Sequence, residues 1–515
     1  MALAALGFLA LLVGGALLAL AIAALHSPVS FLSAFDAYFA EIAAFTLWQA
    51  ALSTVFSLVP ALLVARALHR HPAFFGRAMI LRLLALPLAL PALIAALGLL
   101  ALLGRAGILA PVLTDALGAR WPGIYGLGGI VLAHVFFNMP LSTRLFLIAL
   151  DAVPNDHWRL AAQLGFTPWQ RFKLLEWPEL KSAIPGVALM VFLLCATSFT
   201  LVLTLGGGPQ ATTIEVAIYQ ALRFDYAPER AVAFAIVQLA FAVGMAAFAS
   251  QFLSVQPLRN STIAAVKLMR PKMLEAILNF ACITAAALFI AGPMLAIAAR
   301  GVMADLPKLV MQPAVATAAL TSLTLAALAS LLCCLLAIAL LAARTKQITN
   351  FAFQSGGLLL SVSPIVIGAG WFIALQGVIN PLRVAPVLIV TVNAMMALPF
   401  VLRAIAPSWA ASRARHDRLA TSLGLAGFTR FRLVEAIALR GQIFAALAFA
   451  AALSLGDLGV VALFGSDNLQ TLPSLLFARL GSYRSDDAAG LAFLLMLLCL
   501  SLFRLSDFLM TKDTR

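Results

Sequence analysis

Asp457, in the stretch LSLGDLGVV, is an ionisable residue inside one of the chain's late apolar blocks. A carboxylate at membrane depth is costly unless it faces a cavity or a partner, so it marks either a route for a solute or a hydrogen-bonded loop end. Its chemistry would be electrostatic, holding a passing cation. Ser198 stands 259 residues earlier and is a weaker candidate for the same route, with Trp371 and Phe372. His134 and Asn138 share another apolar block with Pro140. A lone intramembrane histidine without companions reads as a packed, hydrogen-bonded residue, and Asn138 as a donor to carbonyl groups freed by Pro140. The five cysteines, Cys333 and Cys334 among them, have neither metal-ligand spacing nor a CxxC pattern and read as small membrane-core side chains. No Ser/His/Asp or paired-carboxylate pattern stands out, and LGGGPQATT lacks the lysine of a phosphate-binding G-x(4)-G-K-[ST] loop. The chain is expected to hydrolyse no nucleotide and to bind no metal or cofactor of its own.

The elements that position these residues follow from composition. Of 515 residues, 63% are apolar and 10% charged, against about 25% charged in a soluble domain. Disorder is excluded by the apolar content, and apolar runs of spanning length favour helices over the alternating segments of a membrane β-barrel. At about 20 residues per span, twelve blocks qualify: 3–25, 47–65, 83–104, 125–149, 185–206, 231–252, 277–299, 315–342, 354–376, 384–402, 441–464 and 487–503. The first has no basic segment before it and is long for a secretory h-region, so it reads as a retained span. The expected fold is all-α and polytopic, with about twelve transmembrane helices.

With both termini in the cytoplasm, 25 of the 34 Lys and Arg fall on the cytoplasmic side and nine outside, the asymmetry of the positive-inside rule. Nine acidic residues lie inside and ten outside, so the cytoplasmic face carries a net +16 and the outer face −1, with Asp457 completing the formal +14. The basic residues are spread through short loops beside spans rather than gathered with stacking aromatics, which argues against a nucleic-acid partner.

The chain repeats itself at an offset of 259. Pro140 and Arg144 match Pro399 and Arg403, and RLAAQLGFTPWQRFKLLE aligns without a gap with RLATSLGLAGFTRFRLVE. Gly165, Arg171, Phe172 and Glu176 pair with Gly424, Arg430, Phe431 and Glu435; farther on, Gly206 pairs with Gly465 and Thr212 with Thr471. Six spans per copy keep both copies in one orientation, giving two parallel halves, 1–260 and 261–515, about a pseudo-twofold axis along the membrane normal. Each half carries a cytoplasmic loop, 156–181 or 415–440, in which a short helix ends at Gly165 or Gly424. Leu160, Ala161, Ala162 and Leu164 would form the small apolar face of a docking helix.

DHWRLAAQLGFTPWQRFKLLEWPELKSAIPG resembles the EAA loop of binding-protein-dependent ABC importer permeases, in which an acidic residue, two alanines and a glycine precede an apolar, proline-containing stretch. Leu160, Ala161, Ala162 and Gly165 occupy that pattern here, with Pro178 and Pro185 following; the second copy reads Leu419, Ala420, Thr421 and Gly424, with Ile437 at the proline position. Leu160 and Leu419 stand where the family has its acidic residue. VLAHVFFNMPLSTR, FKLLEWPELK and LTLGGGPQATTIEVAIYQALRFDYAPERA are similar to the branch of that family that imports thiamine and thiamine pyrophosphate. The resemblance implies an inner-membrane subunit with two copies of a cytoplasmic ATPase on its two EAA loops, ATP and Mg being bound there, and a periplasmic thiamine-binding protein outside. The outer segments 206–230 and 465–487 would receive that protein, the first through Thr212, Glu215, Arg223, Asp225 and Glu229 and the second through Thr471. Within the family, ferric iron or another small solute is the alternative cargo; outside it, an ion-gradient-driven carrier is the alternative.

Overall fold

The structure is a computed structural model that describes residues 2–26, 28–87, 90–250, 273–342, 362–376, 378–425, 427–466, 469–482 and 484–512. The expected boundary at 260/261, the start of the expected span at 354–361, and Arg259, Lys267, Arg270, Lys272, Arg344 and Lys346 lie outside the described residues.

The fold is all-α. In chain order the principal helices of the first half are α1 (Ala2–His26), α2 (Ala37–Arg70), α3 (Ala92–Leu103), α4 (Leu127–Asp151), α5 (Asn155–Gln163), α6 (Trp177–Ala196), α7 (Thr200–Leu205), α8 (Ile214–Arg223) and α9 (Pro228–Ser250). Those of the second are α10 (Met273–Met303), α11 (Pro313–Leu341), α12 (Pro364–Leu375), α13 (Ala385–Ser422), α14 (Arg440–Leu455), α15 (Gly459–Phe464), α16 (Leu472–Gly481) and α17 (Ser485–Lys512).

Every expected apolar block contains helix, but not every block is a full span. Among the described residues nine helices are long and apolar enough to cross a membrane, or ten when the bent pair Gly427–Ala438 and Arg440–Leu455 counts as one. The third and ninth expected spans appear as α3 and α12, each of 12 residues. At 1.5 Å per residue these reach about 18 Å, short of the roughly 30 Å hydrocarbon core. The expected spans 185–206 and 441–464 are interrupted, by Thr197–Phe199 between α6 and α7 and by Gly456–Leu458 between α14 and α15. Apolar composition cannot register either feature, because a short helix and the loop before it can be as apolar as a span.

Two three-helix cores carry the rest: α2, α4 and α6 pack together, as do α11, α13 and α14. The first helix of each half leaves its own core. α1 packs on α12, α11 and α9, while α10 packs on α3, α17 and α2. The exchange brings backbones close at one glycine per half. A side chain at Gly370 would run into the Ala16 carbonyl of α1, and one at Gly98 into the Pro293 carbonyl of α10. Both glycines hold the seventh position of their helix. Lipid-facing and core-facing sides of α1 are equally apolar: Ala5, Leu9, Leu12, Ala16 and Leu20 are buried, whereas Leu3, Leu11, Leu18 and Leu25 are exposed. Trp371, an expected route-lining candidate, is instead part of this packing, its Nε1 donating to the Leu12 carbonyl at 2.8 Å.

Gly370→Leu should force α12 away from α1 and cost at least about 1–3 kcal/mol, the usual range for overpacking. Gly7→Leu, on the facing helix α1 but with open space around it, should be neutral. Thermal unfolding of both variants in detergent checks this, and equal midpoints would contradict the close approach.

Candidate functional site: two matched loops and the outer crossings

The first loop begins where Pro154 ends α4 and starts α5. At the equivalent position the second half has Arg413, which places no restriction on the helix, so α13 runs unbroken for 38 residues to Ser422. The expected separate short helix is therefore present in the first loop only. The ends of the two helices nevertheless coincide. Phe166 N–H bonds to the Ala161 carbonyl and Gly165 N–H to that of Ala162; Leu425 N–H bonds to the Ala420 carbonyl and Gly424 N–H to that of Thr421. This is a Schellman cap, and it needs a left-handed residue, supplied by Gly165 (φ 65°) and Gly424 (φ 64°).

The chain then reverses through a short helix into five residues of π-helix, Phe172–Glu176 in one copy and Phe431–Glu435 in the other. Thr167 caps the first of these short helices reciprocally with Gln170. Beyond the π-helix the copies diverge. Pro168–Ala196 continues into the membrane as one span, whereas Gly427–Ala438 meets Arg440–Leu455 at 84°.

Each π-helix ends on a buried carboxylate held by arginines. Glu176, fully buried, accepts from Arg66 at 2.7 Å and Arg70 at 2.8 Å, both from the last turns of α2. Arg70 also pairs with Glu275 at the start of α10, and so joins the halves. Glu435 is held at 2.8 Å by Arg430, which also takes Asp417 at 2.8 Å, with Arg413 at 3.9 Å. Phe172 lies under the Arg66 guanidinium at 4.7 Å, whereas Phe431 stacks on Trp409. Trp158 fills the space behind the first loop with Val153 and Leu175, near the His69 ring. His69 in turn bonds Asp151 at 2.9 Å.

The expected apolar face of the docking helix is split. Ala161 and Ala420 are buried against the body, Ala162 is half-buried, and Thr421 is exposed. The leucines of that face point outward and are joined by residues beyond the alanine motif. Leu160, Leu164, Trp169 and Leu174 are 53, 62, 66 and 54% exposed; Leu419, Leu423, Phe428 and Leu433, each 259 positions later, are 60, 63, 67 and 52% exposed. Two surfaces built from different local sequences present the same four side-chain positions. Trp169 and Phe428, and the arginine-held Glu176 and Glu435, are not singled out by an alanine and glycine pattern; the signal for them is the retention of a large aromatic or an acid at the same register in both copies.

At the opposite end, α7 leads through the turn Gly206–Pro209 to α8, which is too short to span and lies outside the candidate spans. Thr212 and Glu215 are buried here, as is Thr471, which caps α16. In this conformation these three are withdrawn from any docked protein, unlike the exposed Asp225 and Glu229. Arg223 is half-buried and donates to the Gly465 carbonyl at 3.1 Å. Glu215 accepts from Gln238 Nε2 at 3.1 Å and from Ser363 Oγ at 2.6 Å. Burial pushes the Glu215 carboxyl up to about 8, while these two hydrogen bonds pull it the other way.

Asp457 and Ser198 occupy the two helix interruptions, at equivalent places. Asp457 is thus not within a continuous span; its Oδ1 accepts from Gly459 N–H at 3.0 Å at the start of α15, and its Oδ2 is buried without a hydrogen-bond partner. The geometry of Oδ1 is that of a hydrogen-bonded loop end. His134 bonds Ser53 at 2.9 Å, and Asn138 donates to Cys195 Sγ at 3.3 Å rather than to a carbonyl freed by Pro140. Pro140 and Pro399 lie buried inside α4 and α13. Among the described residues no group of His, Cys, Asp and Glu is arranged to hold a metal ion.

The family described as "Binding-protein-dependent transport system inner membrane component" matches residues 57–260. The chain is 47% identical over 511 residues to the thiamine transport system permease protein ThiP of Brucella abortus (strain 2308), covering 98% of this chain and 94% of that protein. It is 40% identical over 488 residues to ThiP of Escherichia coli (strain K12), covering 93% and 91%. Similarity to the ferric transport system permease protein FbpB of Actinobacillus pleuropneumoniae is 30% over 179 residues, 34% of this chain and 25% of that protein. The chain belongs to the family of binding-protein-dependent transport system inner membrane components, alongside the ThiP permeases.

Proposed function

We propose that this chain is the membrane subunit of an ABC importer that carries thiamine and its phosphates into the cytoplasm. The observation that carries the reading of the loops is the pair of outward apolar surfaces, four positions each, repeated at an offset of 259 with nearly equal exposure. Two identical ATPases need two equivalent docks, and one duplicated chain supplies both. Leu160, Ala161, Ala162 and Gly165, with Leu419, Ala420, Thr421 and Gly424, form the coupling elements in this reading: the alanines seat the helices, the glycines turn the chain, and the leucines meet the ATPase. ATP and Mg belong to those partners.

The same reading gives twelve passes in two six-span halves, 1–260 and 261–515, with α3 and α12 within the third and ninth. It is supported by corresponding neighbours. α3 packs on α7, α10 and α17, as α12 packs on α15, α1 and α9. The distribution of basic loops supports cytoplasmic termini at the inner membrane, with Arg223, Asp225 and Glu229 outside, toward a periplasmic thiamine-binding protein. Thr212, Glu215 and Thr471 reach that protein only after a rearrangement that uncovers them. Asp457 and Ser198, at the two helix interruptions, are the proposed pathway residues for a thiazolium cation. Alternating access is driven by ATPase closure transmitted through the loops at 156–181 and 415–440. The substrate assignment rests on the near-full-length similarity to ThiP permeases.

Leu164→Glu and Leu423→Glu put charge on side chains that already face outward, so the chain should still fold. Desolvating that charge against an apolar partner costs several kcal/mol, and co-purification of the ATPase should fall about tenfold or more for the double variant. Undiminished association would remove the docking assignment. Reconstituted with its partners, the complex should take up thiamine in an ATP-dependent manner, with thiamine phosphates competing and ferric iron not. Iron uptake would favour the alternative cargo, and uptake abolished by an ionophore without any ATPase would favour an ion-coupled carrier.

A further inference from the structure

α8 is tied to both halves by polar bonds. On its own side, Ile214 N–H donates to Thr46 Oγ1 of α2 at 3.0 Å, and Gln238 of α9 donates to Glu215. On the other side, Ser363 Oγ, the N-cap of α12, donates to the second oxygen of Glu215, and Arg223 in the last turn donates to the Gly465 carbonyl at the end of α15. The counterpart helix, α16, is seated in the same manner, with Leu472 N–H donating to Ser322 Oγ of α11 at 2.8 Å. Its further bonds stay at home: Arg479 takes Asp487 at 2.5 Å and Gln312 at 2.8 Å, both from the second half. In the 259-residue register Glu215 matches Ser474, whose hydroxyl bonds only to Thr471 in the cap of its own helix, accepting from its N–H at 2.8 Å and donating to its carbonyl at 2.9 Å. Among the described residues, α8 bonds across to the other half and α16 does not, while α10 adds a separate crossing at this end in which Arg300 donates to the Ala106 carbonyl.

The energetics favour a closed state. Glu215 is fully buried and both oxygens accept from neutral donors, one on each side of the boundary. Pulling α12 away leaves a buried carboxyl oxygen without its 2.6 Å partner, and a buried polar atom left unpaired costs more than the bond's small net gain. The Ser363 hydroxyl also accepts from Ile365 N–H at 3.1 Å, so the loss would extend to the first turn of α12.

We propose that Glu215 is a positioning residue of the transport cycle, the latch of a one-sided outer gate: its hydrogen bond with Ser363 holds α12 against α8 when the outer end is closed, and must break for the two halves to part there. The proposal takes its sense of outside from the importer reading above.

The test uses the complete complex in liposomes, with the binding protein on the outer face. Ser363→Cys should be modified slowly by a membrane-impermeant methanethiosulfonate in the absence of nucleotide, and about tenfold or more faster when ATP and vanadate trap the ATPases closed, tenfold being about 1.4 kcal/mol. The unsubstituted chain, with its own five cysteines, sets the background. Glu215→Ala should raise ATP hydrolysis in the absence of binding protein by about tenfold, roughly the net worth of one hydrogen bond; Glu215→Gln should fall between, and Arg479→Ala, on the home-bound α16, should leave it unchanged. Equal labelling of Ser363→Cys in the two states would overturn the latch, as would Glu215→Ala hydrolysis that still depends fully on binding protein. Neither readout requires a known solute, so loss of the thiamine assignment in the uptake assay would be seen separately.

Discussion

The two matched loops depend on two deeply buried carboxylates. Glu176 and Glu435 sit at the last residue of the two π-helices, where the chain turns from a surface loop into the bundle. A buried carboxylate without a counter-charge is untenable, and removing one partner of such a pair typically costs about 3–5 kcal/mol. Arginines therefore have to converge on each. In the first half they come from α2 and, through Arg70, reach Glu275 at the start of α10; in the second they come from the loop itself and from α13. The first loop is thus tied to the helix bundle of both halves, the second to its own connecting helix. Two loops with the same outward apolar face are thus anchored differently, and in the proposed complex the two ATPases would meet equivalent contacts on unequal levers.

Much of this was legible in the sequence where two copies could be compared. The offset of 259 located both loops, both capping glycines and the paired glutamates, because a left-handed cap and a buried acid tolerate few substitutes. Single-copy features were less visible. Glu215 and Thr212 read as surface contacts because a short polar stretch between apolar blocks looks like a solvated loop; the partners that bury Glu215, Ser363 and Gln238, lie 148 and 23 residues away. Likewise Pro154 announces a break in the first half, while its replacement by Arg413 gives no sign that α13 runs on to Ser422.

Apolar blocks hid a second distinction. Composition measures how much chain is compatible with lipid, and not whether that chain faces lipid, packs against a neighbour, or stops part-way. α1 and α3 have similar apolar content, yet α1 presents leucines outward along its length and α3 is largely buried. The difference comes from exchange between halves. Because α1 and α10 each leave their own core to cover a short helix of the other half, α3 and α12 are enclosed on several sides and need not match the membrane's thickness.

That exchange also constrains how the halves can move. A hinge that simply opened the two cores would drag α1 off α12 and α10 off α3, stripping the backbone approaches at Gly370 and Gly98. Interdigitated helices of this kind resist separation, because close backbone packing is lost all at once rather than by degrees. Sliding within each core, with the crossed helices travelling with the half they cover, avoids that loss. The bodies that rock would then be mixed ones: α11, α13 and α14 carrying α1, and α2, α4 and α6 carrying α10. The interruptions at Thr197–Phe199 and Gly456–Leu458 lie where such bodies need a joint, since a broken helix can change its angle without stretching a continuous hydrogen-bond ladder. Asp457 and Ser198 stand at those joints, so the residues nearest a solute's expected route also occupy the places where the chain can bend.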